Sequence, residues 1–273
     1  MFRNVFILVL VLGVMAGIAQ AALVLVENFD SMATGNIDGR TCTGVLGGTW
    51  DTQSANTGNV VVEDNSGSRV VRFMSTSSGG GRGVGFNSIT DLIEDSETGM
   101  AFFRFMIRTD AQVPRTYMGL ISDTSDDPIN STNTDTPTNI PVGFGLVDDS
   151  SGGFNLVKTD GTTVLKAGLV RAQWYNVWIE ANNAADTFDL YLSTATGPAG
   201  APALPTSGDL VAGTIPFGVA TSDPLTGMIF ASPTGTVQSS RCYIDEIYMT
   251  PEPATLVLLG LGGLSLLRAR KKR

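Results

Sequence analysis

The sequence predicts an all-β sandwich or barrel held between two apolar chain ends. Short runs of alternating apolar residues recur from Ala22 to Thr250, separated by clusters of Gly, Asn, Asp and Pro. That is the period-2 pattern of half-buried strands with turns between them. Nothing in the interval has the periodicity of an amphipathic helix. The 229 residues from 22 to 250 are enough to bury one sizeable core. Many short strands without helices close into packed sheets or a barrel.

The strands are expected in this order. Leu23 to Phe29 opens the domain. Val60 to Glu63 and Arg69 to Thr76 pair across the turn Asp64-Asn65-Ser66-Gly67, and Arg82 to Asn87 follows a Ser-Gly stretch. From Met100 to Thr109, Ala101, Phe103, Phe105 and Ile107 share one face, with Arg104 and Arg108 on the other. Pro141 to Val147 and Phe154 to Lys158 form a hairpin across Asp148 to Gly153. Trp174 to Ala181 and Asp186 to Ser193 form another, with Phe188, Leu190 and Leu192 on one face. Leu225 to Ala231 and Cys242 to Met249 close the domain. The segments Ser122 to Asn139 and Thr194 to Gly208 read as long loops.

The two ends carry export signals. Arg3, the apolar run Phe6 to Ile18 and Ala19-Gln20-Ala21 make a secretory signal peptide over 1–21, with its charged region, apolar helix and A-x-A cleavage site. At the other end, Pro251-Glu252-Pro253 precedes the apolar segment Ala254 to Leu267 and the cations Arg268, Arg270, Lys271, Lys272 and Arg273. As a helix those 14 residues reach about 21 Å, short of a hydrocarbon core of about 30 Å. The terminal cations stay cytoplasmic, so the domain before them faces outward.

The order Pro-Glu-Pro, short transmembrane helix and basic cluster over 251–273 resembles the PEP-CTERM sorting tail of Gram-negative bacteria. The resemblance implies recognition at Pro251, Glu252 and Pro253 by an exosortase, a membrane protease that cuts at the motif. It implies a protein of the cell surface or extracellular matrix, anchored only transiently in the inner membrane, and ties it to exopolysaccharide and biofilm. An ordinary tail anchor is the alternative.

Composition narrows the chemistry. Setting aside Arg3 and the five terminal cations leaves 11 Lys and Arg; setting aside Glu252 leaves 25 Asp and Glu, for a formal charge of −14 between the ends. Such a surface does not suit nucleic acid, whose phosphates need a basic footprint. It suits an extracellular protein that takes up hard cations. The chain has no histidine, which removes Ser-His-Asp and Cys-His catalysis and His-ligated zinc. Cys42 and Cys242 lie near opposite ends of the domain and, after export, in an oxidising compartment. Paired, they close a loop of about 200 residues, a constraint of roughly 5 kcal/mol, and set the first and last strands side by side. Two free thiols are the alternative.

A second resemblance rests on Gln173 to Ile179 followed by Phe188-Asp189-Leu190-Tyr191-Leu192, with the ends Glu27-Asn28-Phe29-Asp30 and Tyr243-Ile244-Asp245-Glu246-Ile247. These segments are similar to concanavalin-like and laminin-G-like jelly-roll β-sandwiches and related carbohydrate-binding modules. The resemblance implies a structural calcium held by acidic residues of the end strands, here Glu27, Asp30 and Asp245. A solvated or hydrogen-bonded role for Asp245 stands beside it. The group Asp123, Asp126 and Asp127 has the composition of a calcium loop without an EF-hand register.

For carbohydrate, stacking aromatics flanked by hydrogen-bonding side chains are needed. Trp50, Trp174, Trp178, Tyr117 and Tyr191 are the candidates, and Trp174 and Trp178 share a strand face with Asn176 and Glu180. Core packing is the competing explanation for each ring. Catalytic residues are not expected. The Glu-x-Asp-x-x-Glu strand of jelly-roll glycosidases is missing, Glu94, Asp95 and Glu97 sit in a turn, and Asp245 and Glu246, as neighbours on a strand, point to opposite faces. The expectation is therefore a secreted, surface-sorted, non-catalytic jelly roll that binds carbohydrate, with a purely structural matrix protein or a polysaccharide-cleaving enzyme as alternatives.

Overall fold

The computed structural model describes residues 23–44, 47–52, 60–74, 82–87, 92–108, 116–122, 140–195, 202–232 and 241–250. Within them the chain forms β1 (Val24–Glu27), β2 (Gly35–Asn36), β3 (Thr49–Thr52), β4 (Val60–Asn65), β5 (Ser68–Met74), β6 (Arg82–Asn87), β7 (Thr98–Ile107) and β8 (Thr116–Ser122). There follow β9 (Val142–Asp148), β10 (Phe154–Lys158), β11 (Val164–Leu169), β12 (Trp174–Asn182), β13 (Thr187–Ala195), β14 (Leu210–Pro216), β15 (Leu225–Ser232) and β16 (Arg241–Met249). The expected signal helix over 1–21, the sorting motif and the expected transmembrane helix lie outside the described residues. Within those residues no helix is long and apolar enough to cross a membrane.

Two antiparallel sheets make a jelly-roll sandwich. The nine-stranded sheet runs β14-β13-β12-β7-β16-β5-β4-β2, with β1 also paired to β16. The seven-stranded sheet runs β11-β10-β9-β8-β15-β6-β3. Chain-distant strands meet at the centre of both sheets, so the fold depends on non-local pairing.

The alternation read from the sequence sets which side chains face inward. Ala101, Phe103, Phe105 and Ile107 of β7 enter the core, as do Tyr175, Val177, Ile179 and Ala181 of β12 and Phe188 and Leu190 of β13. Phe144, Phe154 and Phe230 meet them from the other sheet: the Phe103 ring lies 5.3 Å from Phe230 and the Phe105 ring 6.0 Å from Phe154, both edge-on. Burial of these rings, at about 25 cal/mol per Å² of apolar surface, is what holds the sheets together.

Strand β1 stops at Glu27, two residues short of expectation. The Glu27 carboxylate takes the backbone N–H groups of Asn28 and Phe29 at 2.9 and 2.7 Å, and Phe29 turns to φ 60°, which ends the ladder. Strand β8, by contrast, was not expected. Its residues are buried on both faces almost throughout, so Tyr117, Gly119 and Ile121 replace the polar residues that make a strand recognisable.

The disulfide expected between Cys42 and Cys242 is not formed: both are free, buried thiols. Cys42 lies outside the named strands, whereas Cys242 lies within β16. Cys242 lies in β16 opposite Ile107 and Phe73. The Cys42 N–H donates to the Gly48 carbonyl beside the Thr41–Thr49 bridge, at the β3 end of the seven-stranded sheet. Burial and the nearby Glu27 push the Cys42 thiol up to about 12, and burial raises Cys242 well above its ordinary value. The first and last strands do lie side by side, through the backbone pairing of Val24 with Met249 and Leu25 with Tyr248.

Candidate functional site

The half of each strand that does not enter the core builds the outer face of the nine-stranded sheet. On β16, β7, β12 and β13 the register lines up these side chains in rows. One row is Tyr243–Met106–Trp174–Ala195 and the next is Asp245–Arg104–Asn176–Ser193. Then come Tyr248–Phe102–Trp178–Tyr191 and Met100–Glu180–Asp189. Successive rows are two residues apart, about 6.7 Å. An aromatic stripe thus runs across four strands between a polar row and an acidic one.

The polar row is a connected relay. Arg104 Nη1 stands 3.2 Å from Glu246 Oε2, and Arg104 Nε donates to Asn176 Oδ1 at 2.8 Å. Asn176 Nδ2 in turn donates to Ser193 Oγ at 3.2 Å. The guanidinium also lies 6.0 Å from the centre of the Phe102 ring. Arg104, Asp245 and Glu246 are all buried, and charges in that setting depend on one another, because each alone would be unsolvated.

Asp245 and Glu246 were expected on opposite faces, and here the sequence pattern misleads. The β16–β7 register shifts between Asp245 and Tyr248, and Glu246 adopts φ 49°. This bulge brings both carboxylates to the Arg104 side. Burial, with Glu246 and Asp30 nearby, pushes the Asp245 carboxyl up to about 8, against the opposing pull of Arg104.

The three carboxylates expected around calcium separate into two environments. Asp30 and Asp245 come together: Ser68 Oγ lies 3.3 Å from Asp30 Oδ1 and 3.5 Å from Asp245 Oδ2. Glu27 is occupied elsewhere, taking Thr43 Oγ1 at 2.6 Å and Thr43 N at 2.8 Å beside its two amide bonds. Among the described residues no group of three or more His, Cys, Asp or Glu is placed to hold a metal ion. Of the three expected carboxylates, Asp30 and Asp245 thus share the Ser68 hydroxyl as a neighbour, and Glu27 is bound to the Asn28, Phe29 and Thr43 groups instead.

The aromatic candidates divide as well. Trp50, Tyr117 and Trp178 are 1, 2 and 4 % exposed, while Trp174, Tyr191 and Asn176 are half-buried on the outer face. Trp178 packs with Phe102 and Tyr248, its ring centre 5.2 Å from that of Phe102. The aromatic floor is therefore Phe102, Trp178 and Tyr248, and Trp174 and Tyr191 lie at its borders. The turn at Glu94 is closed by the Glu97 N–H donating to the Glu94 carbonyl at 3.1 Å. Asp123, Asp126, Asp127 and the motif Pro251, Glu252 and Pro253 lie outside the described residues. Sequence reasoning missed Phe102, Tyr248, Arg104, Glu246, Asp189 and Ser193. The alternation of β7 and β13 marked most of them as outward-facing, but only strand register puts them side by side.

The comparisons bear on the two parts of the chain separately. A family model of the PEP-CTERM protein-sorting motif matches residues 250–273. No curated protein matches the chain. Among solved structures, the chain is similar to the catalytic domain of the glycoside hydrolase family 131 protein from Coprinopsis cinerea, with 12% identity over 84% of this chain and 95% of that one and a TM-score of 0.51. Lectin II from Ulex europaeus shares 12% identity over 80% of this chain and 98% of its own, with a TM-score of 0.44. A sialidase shares 9% identity and a TM-score of 0.49; the match covers 85% of this chain but only 19% of the sialidase. The likeness to the hydrolase domain bears on the fold alone. The chain is a nearly all-β, two-sheet jelly-roll sandwich that carries a PEP-CTERM protein-sorting motif at residues 250–273.

Proposed function

We propose that this chain is an exported, surface-sorted protein of the extracellular matrix that binds exopolysaccharide without cleaving it. The observation that carries the reading is the sorting motif at residues 250–273, set directly after a sandwich whose last described residue is Thr250. The division is a signal peptide over 1–21, the sandwich over 22–250 and the sorting tail over 251–273. An exosortase-type membrane protease recognises Pro251, Glu252 and Pro253, and the tail's contact with the inner membrane is transient. Released or reattached, the sandwich joins the biofilm matrix.

Carbohydrate is held on the outer face of the nine-stranded sheet. Trp174 and Asn176 offer partly exposed contacts there, and the buried Trp178 ring supports them from the stripe beside the relay. Calcium, where bound, takes Asp30 and Asp245. No covalent step is needed. The burial of Trp50 and Trp178 favours a second reading, a structural matrix protein with no ligand. A hydrolytic role would need two carboxylates about 5–9 Å apart across a cleft.

Intact mass and fractionation in the native host, with and without the sorting protease, test the first half. A product ending near Pro251 outside the cell supports sorting, and an uncut chain in the membrane makes it a tail-anchored protein. Affinity electrophoresis in gels of the host exopolysaccharide tests the second half. Retardation without shortening of the polymer supports binding, unchanged mobility favours the structural reading, and shortening overturns the non-catalytic one.

A further inference from the structure

Strand β16 leads straight into the sorting motif. Pro251 is bonded directly to Thr250, so its Cα stands about 3.8 Å from that of Thr250 and no spacer separates motif from sheet. Thr250 is itself tied to β7. Its N–H donates to the Met100 carbonyl at 2.8 Å, and its Oγ1 accepts the Met100 N–H at 2.8 Å.

The residues before Thr250 are flanked on both sides. Met249 pairs with Val24 of β1 and with Ala101 of β7, and Tyr248 pairs with Leu25 and Phe102. Ile247, Tyr248 and Met249 are buried, and Met249 belongs to the main core. The end of β16 is therefore a central strand right up to the residue before the motif. Strand ends of this kind do not fray freely. Extending residues 248–250 into another protein's cleft severs pairings on two flanks and draws Met249 out of the core. A protease acting on such an end works on the open fraction of the chain, so its rate follows the opening equilibrium.

We propose that the clamp of β1 and β7 on the end of β16 controls cleavage at the sorting motif. The protease cuts chains in which Tyr248, Met249 and Thr250 have peeled out of the sheet, so a completed sandwich delays its own release. In the cut, one peptide bond breaks. Its acyl carbon passes to water, or to the nucleophile that reattaches the chain, and the tail leaves with a free amine. The inference rests on the sorting reading and adds to it a regulation by the fold.

The test follows the half-life of the full-length precursor by pulse–chase in the native host, with and without the sorting protease. In the first variant the insertion Gly-Ser-Gly-Ser-Gly-Thr follows Thr250, so a threonine still precedes Pro251. The motif then reaches the protease while β16 stays closed, and the half-life should shorten about fivefold. The second variant, Val24→Cys/Met249→Cys, staples β1 to β16 when oxidised. The cross-linked precursor should be cut severalfold more slowly, reductant should restore the rate, and the insertion should make the staple harmless. An insertion that leaves the half-life unchanged or lengthens it overturns the inference. So does a cross-linked precursor cut at the unaltered rate, which would mean that the insertion only relieves crowding. Where the cross-link does not form, the insertion decides alone. If the protease cuts the unaltered chain and the insertion changes nothing, this inference alone falls; if it cuts neither chain, the sorting reading falls with it.

Discussion

The outer faces of the two sheets are built on opposite plans. On the nine-stranded sheet, long polar and aromatic side chains stand in register and contact one another, as in the relay Glu246–Arg104–Asn176–Ser193. On the seven-stranded sheet the corresponding positions are apolar, and several are glycine. Ile229 lies between Gly85 and Gly119, and Gly119 pairs with Gly143. There the chain at Ile140 closes directly onto the backbone, and Tyr117, Ile121, Ile140, Ile229 and Ala231 form a second apolar cluster. One face is thus a functional-group surface and the other a packing surface. Which face a ligand can use follows from side-chain chemistry at alternate positions, not from the fold, which both sheets share.

The largest test of this contrast is Arg104. Removing it leaves Glu246 and Asp245 buried without their cation, so Arg104→Ala should cost about 3–5 kcal/mol of stability in urea unfolding. The double change Arg104→Met/Glu246→Leu should recover most of the loss, because a well-packed apolar pair replaces an ion pair at little cost. A small loss in the single variant would mean that the relay is solvated and the polar face is loosely built.

Next in size is the response to calcium. At about 100 times its dissociation constant a ligand adds about 2.7 kcal/mol, or several degrees in Tm for a domain of this size. Calcium should raise Tm in the unaltered chain and leave Asp30→Asn/Asp245→Asn unmoved, with EDTA as the reverse control. A Tm indifferent to both additions would leave Asp245 a protonated, hydrogen-bonded strand residue.

The packing face is tested by Gly119→Ala. A Cβ there would collide with the Val142 carbonyl oxygen and stand 2.9 Å from Ile140 Cγ2. The expected destabilisation is about 1–3 kcal/mol. Backbone cannot yield as a side-chain end can. A neutral outcome would show that the segment at Ile140 moves away freely and that this face opens more readily than its packing suggests.

How much of this was legible in the sequence depends on what each feature needs. The β12–β13 hairpin and the inward face of β7 follow from local alternation, and the structure reproduces them within a residue or two. β8 was not legible, because a strand buried on both faces has no alternation to detect. The site fared worse for a different reason. Trp174, Asn176 and Trp178 were rightly placed on one face, but their partners come from β7, β13 and β16, and register across strands is not encoded in any one of them. The Glu246 bulge then reversed the expected separation of Asp245 from its neighbour. The disulfide expected from Cys42 and Cys242 failed where its consequence succeeded, since backbone pairing alone draws the ends together.

The smallest effect separates stability from function most sharply. Glu180→Gln removes one of two like charges facing across a ladder, and should raise stability by a few tenths to about 1 kcal/mol. A side chain kept only for the fold would not be improved by losing its charge. If the variant gains stability and loses affinity for the host exopolysaccharide, the acidic row is a strained feature retained for binding, the usual compromise at working sites. If it loses stability, Glu180 is held by the Tyr191 hydroxyl as part of the structure, and the polar plan of this face is architectural throughout.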